Sequence, residues 1–170
     1  MSFAGTAFEL HPATPAALDH AGIAARVPHH GTMCLLDRLL AWTDDSVTCS
    51  AISHRDPAHP LRSESGLLAA HAIEYAAQAM ALHGALRAEA AGAAAGPVPG
   101  YLASARGVQL GRWRMDDAPG PLRIEAQRIA GDSRQLLYGF RVIDAAGACL
   151  AEGRATVVLN TPLRPAATMP

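Results

Sequence analysis

The chain has 170 residues, half of them hydrophobic and 17% charged, and its 14 basic and 15 acidic side chains leave a formal net charge of −1. That length and apolar content fit one domain around one packed core and exclude a disordered chain. The charge balance removes any broad electrostatic ground for binding nucleic acid or an anionic membrane. Cys34, Cys49 and Cys149 are odd in number and make no C-x-x-C pair. They read as small buried hydrophobes in a reducing cytoplasm.

In chain order, residues 1–23 read as an N-terminal extension. The opening MSFAGTAFELHP has no basic start followed by a sustained apolar run, so no signal peptide is expected. Residues 1–17 hold prolines and small side chains suited to the surface. Asp19 to Arg26 predicts a short helix stopped before Pro28. A strand pair is expected over Leu35–Trp42 and Ser46–Ser53, because Val47, Cys49 and Ala51 alternate with Thr48 and Ser50. His54–Ser65 holds two prolines and reads as a loop.

From Gly66 to about Ala91 the period lengthens to that of a helix, with Ser63 or Ser65 available as a cap. This apolar run is not a membrane span, since His71, Glu74, Gln78 and His83 are each expensive in lipid. Alanines and Gly84 leave little bulk on any side of the helix, which suits close wrapping by a sheet. After a Gly/Pro/Ala loop over 92–99, strands are expected at Tyr101–Trp113, Leu122–Ile129, Gln135–Ile143 and Cys149–Leu159. Short turns between them imply an antiparallel meander. The tail Thr161–Pro170 is expected to fray. The whole is one α+β domain over 1–170, a long helix on one face of a sheet. An unpaired sheet edge is a liability that dimerisation would relieve.

No G-x-S-x-G, glycine-rich phosphate loop or H-E-x-x-H is present. Glu74, a carboxylate among alanines and Ile73, is the leading candidate. Burial there is expected to raise its pKa and suit it to proton transfer. The alternative is a solvated face, but no charged residue lies between Glu74 and Arg87 to extend one. His71 and Gln78 share its helix face. His71 either orients Glu74 or satisfies a buried hydrogen bond. His-x-x-Glu alone is a weak metal signal, and no metal or cofactor is expected. A second cluster, Val27-Pro28-His29-His30-Gly31-Thr32, places two histidines in a turn made rigid by Pro28 and Gly31.

Pro28-His29, then Met33-x-Leu35-Leu36-Asp37-Arg38 and a hairpin, resembles the opening of the hot-dog-fold 3-hydroxyacyl-ACP dehydratases. Glu74-Tyr75-Ala76-Ala77-Gln78 resembles that family's Glu-x-x-Ala-Gln motif on the wrapped helix. His59-Pro60-Leu61-Arg62, with Leu67 and Leu68, resembles the branch linked to aryl-polyene biosynthesis clusters. The resemblance spans about residues 24–160. It implies a hot-dog fold, a homodimer or a heterodimer with a related hot-dog chain, and dehydration of an acyl thioester held on acyl carrier protein. A histidine takes the α-proton, Glu74 inherits the carboxyl position, and amides near Ala69 and Ala70 meet the thioester carbonyl. With His71 and Gln78 these complete the expected substrate-binding set.

The Gly-His-Phe loop that carries the histidine in the fatty-acid enzymes is missing. His29 is therefore expected to work with Glu74 in its place, since His30 faces the other way and His54 and His59 lie in the loop. An acyl tunnel beside the helix is expected to include Tyr75, Met80 and Leu102. A thioesterase on the same fold, and a non-catalytic carrier-binding partner subunit, are the competing readings.

Overall fold

The computed structural model describes residues 17–159. Residues 1–16 of the expected surface segment 1–17, and the whole expected tail Thr161–Pro170, lie outside the described residues. The elements are α1 (His20–Ala24), β1 (Arg38–Trp42), β2 (Ser46–Ala51), α2 (Ala72–Ala90), β3 (Gly100–Leu110), β4 (Leu122–Gly131), β5 (Gln135–Ile143) and β6 (Cys149–Leu159). Asp19 caps α1 by accepting the Gly22 amide at 2.9 Å, which satisfies an amide left without a helical partner.

The alternation read in β2 holds: Val47, Cys49 and Ala51 are buried and Ser46, Thr48 and Ser50 are not. All strands pair antiparallel, in the order β1-β2-β4-β5-β6-β3. Only β4, β5 and β6 form the meander. β3 does not pair with β4 but lies at the far edge beside β6, which corrects the expected four-strand meander. The reason is the length and packing of the 111–121 connection, which is no turn. Its Met115 is buried, and it binds the start of the helix through Ala69 N–H to the Trp113 carbonyl (2.9 Å) and Met115 N–H to the Leu67 carbonyl (2.9 Å).

That same connection shifts the helix start. Leu68 is extended and bridges Arg114, and a 3₁₀ turn over Ala69–His71 leads into α2. Neither Ser63 nor Ser65 caps the helix, because Ser63 closes a turn on Gly66 instead. The first strand also starts later than expected, at Arg38. Residues 33–35 are committed to the helix instead, as the site shows.

The helix α2 packs against β2, β3, β4, β5 and β6, so the sheet wraps it. This is the hot-dog arrangement that the resemblance implies. Small side chains at Ala72, Ala76, Ala79 and Ala85, all fully buried, allow the close approach. Burial of Leu82, Leu122 and Ile124 contributes about 1.5–3 kcal/mol each. Among the described residues, no helix is long and apolar enough to cross a membrane.

Candidate active site

Glu74 sits in the first turn of α2 with its carboxylate half-buried. Two side chains converge on the same oxygen. His29 Nε2 lies 3.1 Å from Glu74 Oε1, and Gln78 Nε2 donates to it at 3.0 Å. The pairing of His29 with Glu74 expected from sequence is therefore present in the structure. The segment that delivers His29 runs from Pro28 into a 3₁₀ turn over Gly31–Met33, where Gly31 has φ +57°. That conformation favours glycine.

Gln78 explains why this turn docks so tightly. It is fully buried, its Nε2 also donates to the Met33 carbonyl at 2.7 Å, and its Oε1 accepts the Leu35 amide at 2.8 Å. Both amide protons and the carbonyl are engaged by protein. Gln78 is therefore a positioning residue and not the substrate contact expected from sequence. Its Nε2 donors hold Glu74 and the Met33 carbonyl, and its Oε1 holds the Leu35 amide, on one helix face.

The expected rise in the pKa of Glu74 is reversed. The hydrogen bond from His29 is the largest influence and holds the carboxyl below its ordinary 4.5; burial opposes it, and the Gln78 bond and the charges of His29 and His71 add to the lowering. Two donors on one oxygen outweigh a partial desolvation. Glu74 is therefore a carboxylate near neutral pH, and His29 Nε2–H is the donor between them. His29 Nδ1 is buried with no hydrogen-bond partner.

The other histidines sort by their partners. His30 is exposed. His71 is half-buried in the 3₁₀ turn and acts on Glu74 by charge alone, with no hydrogen bond to it. His59 is buried, and its bonds fix its tautomer. Leu61 N–H fills its Nδ1 lone pair at 3.1 Å, so Nε2–H donates to the Tyr75 hydroxyl at 3.0 Å. Tyr75 then donates to Ser53 Oγ, and Ser53 to the Leu35 carbonyl, each at 2.8 Å. Both nitrogens of His59 are thus spent on structure, and burial pushes its pKa down. This chain of bonds, which sequence reasoning missed, clamps Leu35 from the side opposite Gln78. It also removes Tyr75 from the expected tunnel.

A groove of about 190 Å³ opens beside the dyad. Glu74, Ala77, Met80, Ala81 and Gly84 form its helix wall, and Pro28 and His29 stand beside Glu74. Met80 and Leu102, two of the three side chains expected in an acyl tunnel, line it together with Val98, Tyr101, Leu136, Tyr138, Val157 and Leu159. The strand residues were hidden in sequence because strand order decides which of them meet. At the helix start, the Ala69 amide is buried and already bonded to Trp113, which removes it from the expected carbonyl contact. Ala70 is exposed in the first turn, where amides have no helical acceptor. Among the described residues no group of three His, Cys, Asp or Glu is placed to hold a metal ion.

The sequence profile of one family, described as ApeP-like, ApeP dehydratase, matches residues 21–168. No curated protein matches the sequence. Among solved structures, the dehydratase heterocomplex ApeI:P from Xenorhabdus doucetiae superposes with a TM-score of 0.71 at 22% identity, covering 82% of this chain and 91% of that one. A mutant thioesterase from Staphylococcus aureus gives 0.52 at 12% identity, covering 72% and 92%. The Escherichia coli PaaI protein of the phenylacetic acid degradation operon gives 0.52 at 10% identity, covering 72% and 78%. At these identities the structures speak for a shared fold.

Proposed function

Because the chain belongs to the ApeP-like dehydratase family, we propose that it removes water from a 3-hydroxyacyl group carried as a thioester on acyl carrier protein, leaving a trans-2-enoyl product. The observation that carries this is the His29–Glu74 contact at the mouth of an apolar groove. An elimination of this kind needs one group to take the α-proton and one to deliver a proton to the departing hydroxyl.

The dyad supplies both. With Glu74 ionised, the proton between the two groups rests on His29 Nε2, and the lone pair on Nδ1, which has no hydrogen-bond partner within the protein, is left to take the α-proton while the Nε2 contact to Glu74 stays in place. The α-C–H bond breaks as Nδ1 takes the proton. The Nε2 proton passes across the 3.1 Å contact to Glu74 Oε1 and then to the hydroxyl, which leaves as water while the C=C bond forms. The Ala70 amide at the helix start polarises the thioester carbonyl, where the helix dipole favours developing negative charge.

The chain works as one half of a dimer with a hot-dog chain, either a second copy or a related subunit. This reading is supported by β3, an 11-residue edge strand largely exposed along its length, and by the heterocomplex that the structural relative forms. The test is to incubate the assembled protein with 3-hydroxyacyl carrier protein and follow the carrier-bound product by mass. Loss of one water supports dehydration; release of free thiol instead means a thioesterase. Carrier binding without either reaction means a non-catalytic partner subunit.

A further inference from the structure

The helix residues that line the groove run from Glu74 to Gly84, ten residues or about 15 Å along the axis. An extended chain advances about 1.2 Å per bond, a third of the roughly 3.6 Å per residue of a polypeptide. The groove therefore spans roughly a dozen bonds from the dyad. What stands at its far end is specific.

Gly84 lies in the middle of α2, where glycine weakens a helix relative to alanine. A Cβ at Gly84 would meet no atom within 4 Å, so no packing constraint inside the chain demands glycine there. What its absent side chain leaves open is groove. Tyr138, fully buried, lines the same groove. Its hydroxyl is turned away into the protein: His83 Nε2–H donates to the Thr43 carbonyl at 2.8 Å, so His83 Nδ1 accepts the Tyr138 hydroxyl at 2.8 Å. The two rings meet edge-on, with centroids 5.7 Å apart. Tyr138 is thus pinned level with His83, presenting ring carbons to the groove next to buried Met80 and Leu136.

We infer that Gly84 and Tyr138 set the longest acyl group the groove accepts, Gly84 by leaving the helix wall open and Tyr138 by closing the inner end. This rests on the acyl-thioester reading above and names the residues that fix its chain length.

The probe is a series of S-alkyl pantetheine thioethers lengthened two carbons at a time, which can be neither dehydrated nor hydrolysed. Binding to the assembled protein is measured by titration calorimetry. Affinity is expected to rise about tenfold per two added methylenes until a limiting length, then stop rising or fall. Gly84→Val moves that limit shorter by at least two carbons, Tyr138→Leu moves it longer, and Tyr138→Phe leaves it in place. If Tyr138→Leu does not fold, Gly84→Val decides alone. A limit unmoved by Gly84→Val overturns the inference, as does the absence of any limit. So does a Gly84→Val protein that changes its assembled mass while keeping the parent's limit, because the glycine then serves subunit packing. Should the limit shift as expected while 3-hydroxyacyl carrier protein is not dehydrated, the proposed reaction fails and the length rule stands.

Discussion

Lowering the pH from 7.5 to 5 tests the buried end of the groove through the stability of the fold. His83 is fully buried, and burial lowers its pKa from 6.5 to about 4, against the opposing pull of its bond to Thr43. Both ring nitrogens are already engaged, so a second ring proton would displace the Tyr138 hydroxyl from Nδ1. The unfolded chain takes up a proton below pH 6.5 that the folded chain refuses until about pH 4. Stability from this group is therefore complete above pH 6.5 and falls as pH drops toward 4, by about 1.4 kcal/mol per unit. At pH 5 the loss is about 2 kcal/mol, a sizeable share of the roughly 5–15 kcal/mol typical of a domain. His54 and His59, also lowered by burial, add to it in the same direction. The assay is urea unfolding at one fixed protein concentration across that pH range, for the parent and for His83→Gln. The variant starts less stable but loses about 2 kcal/mol less on acidification. Parallel pH profiles for the two proteins would refute the argument.

Glu74→Gln and His29→Ala are each expected to lower the turnover number by about 10²-fold or more with fold and assembly intact, checked by steady-state kinetics and circular dichroism. His59→Ala is expected to cost stability but not turnover on that scale, since both its nitrogens are spent within the protein; denaturant midpoints beside rates will separate the two. Gln78→Leu leaves the Leu35 amide and the Met33 carbonyl without partners and is expected to destabilise by about 2–4 kcal/mol. It also raises the pKa of Glu74 toward its ordinary value, because the Gln78 bond is one of the influences lowering it, and carboxyl titration by NMR will read that shift.

The helix and the polar side chains that share its face were legible because they are local. Glu74 stands out as a carboxylate in an alanine run, and the i, i+4 spacing alone puts Gln78 on its face. His29 was picked out to replace the missing loop histidine, with the rigid Pro28–Gly31 turn as its support, and the structure puts it in contact with Glu74. What the turn could not reveal is where the hydrogen bonds end. Whether Glu74 is raised or lowered depends on His29 and Gln78 meeting one oxygen, and the first of those comes from 45 residues away. Gln78 likewise looked free until the Met33–Leu35 backbone closed on it. The same limit governs the sheet. The strands could be placed singly, β2 by alternation and the later ones by the turns between them, but β3 and β4 are consecutive in sequence and apart in space, because buried Met115 turns an apparent loop into a packed crossing. The groove wall inherits that uncertainty, since Leu102, Leu136 and Val157 become neighbours only in the observed strand order.

The crossing has a consequence for the order in which the molecule is completed. The Ala69 and Met115 amides each bond across it, to Trp113 and Leu67, so the segment that leads into α2 is held by one that follows the whole of β3. Closing that loop costs chain entropy before either bond can form, and contacts so distant in sequence form slowly. The later turns of α2 need no such closure for their own hydrogen bonds. The end of the helix that presents Ala70 is therefore a late-folding unit whose local opening releases both bonds together, and the Ala69 and Met115 amides should exchange with deuterium at one shared rate.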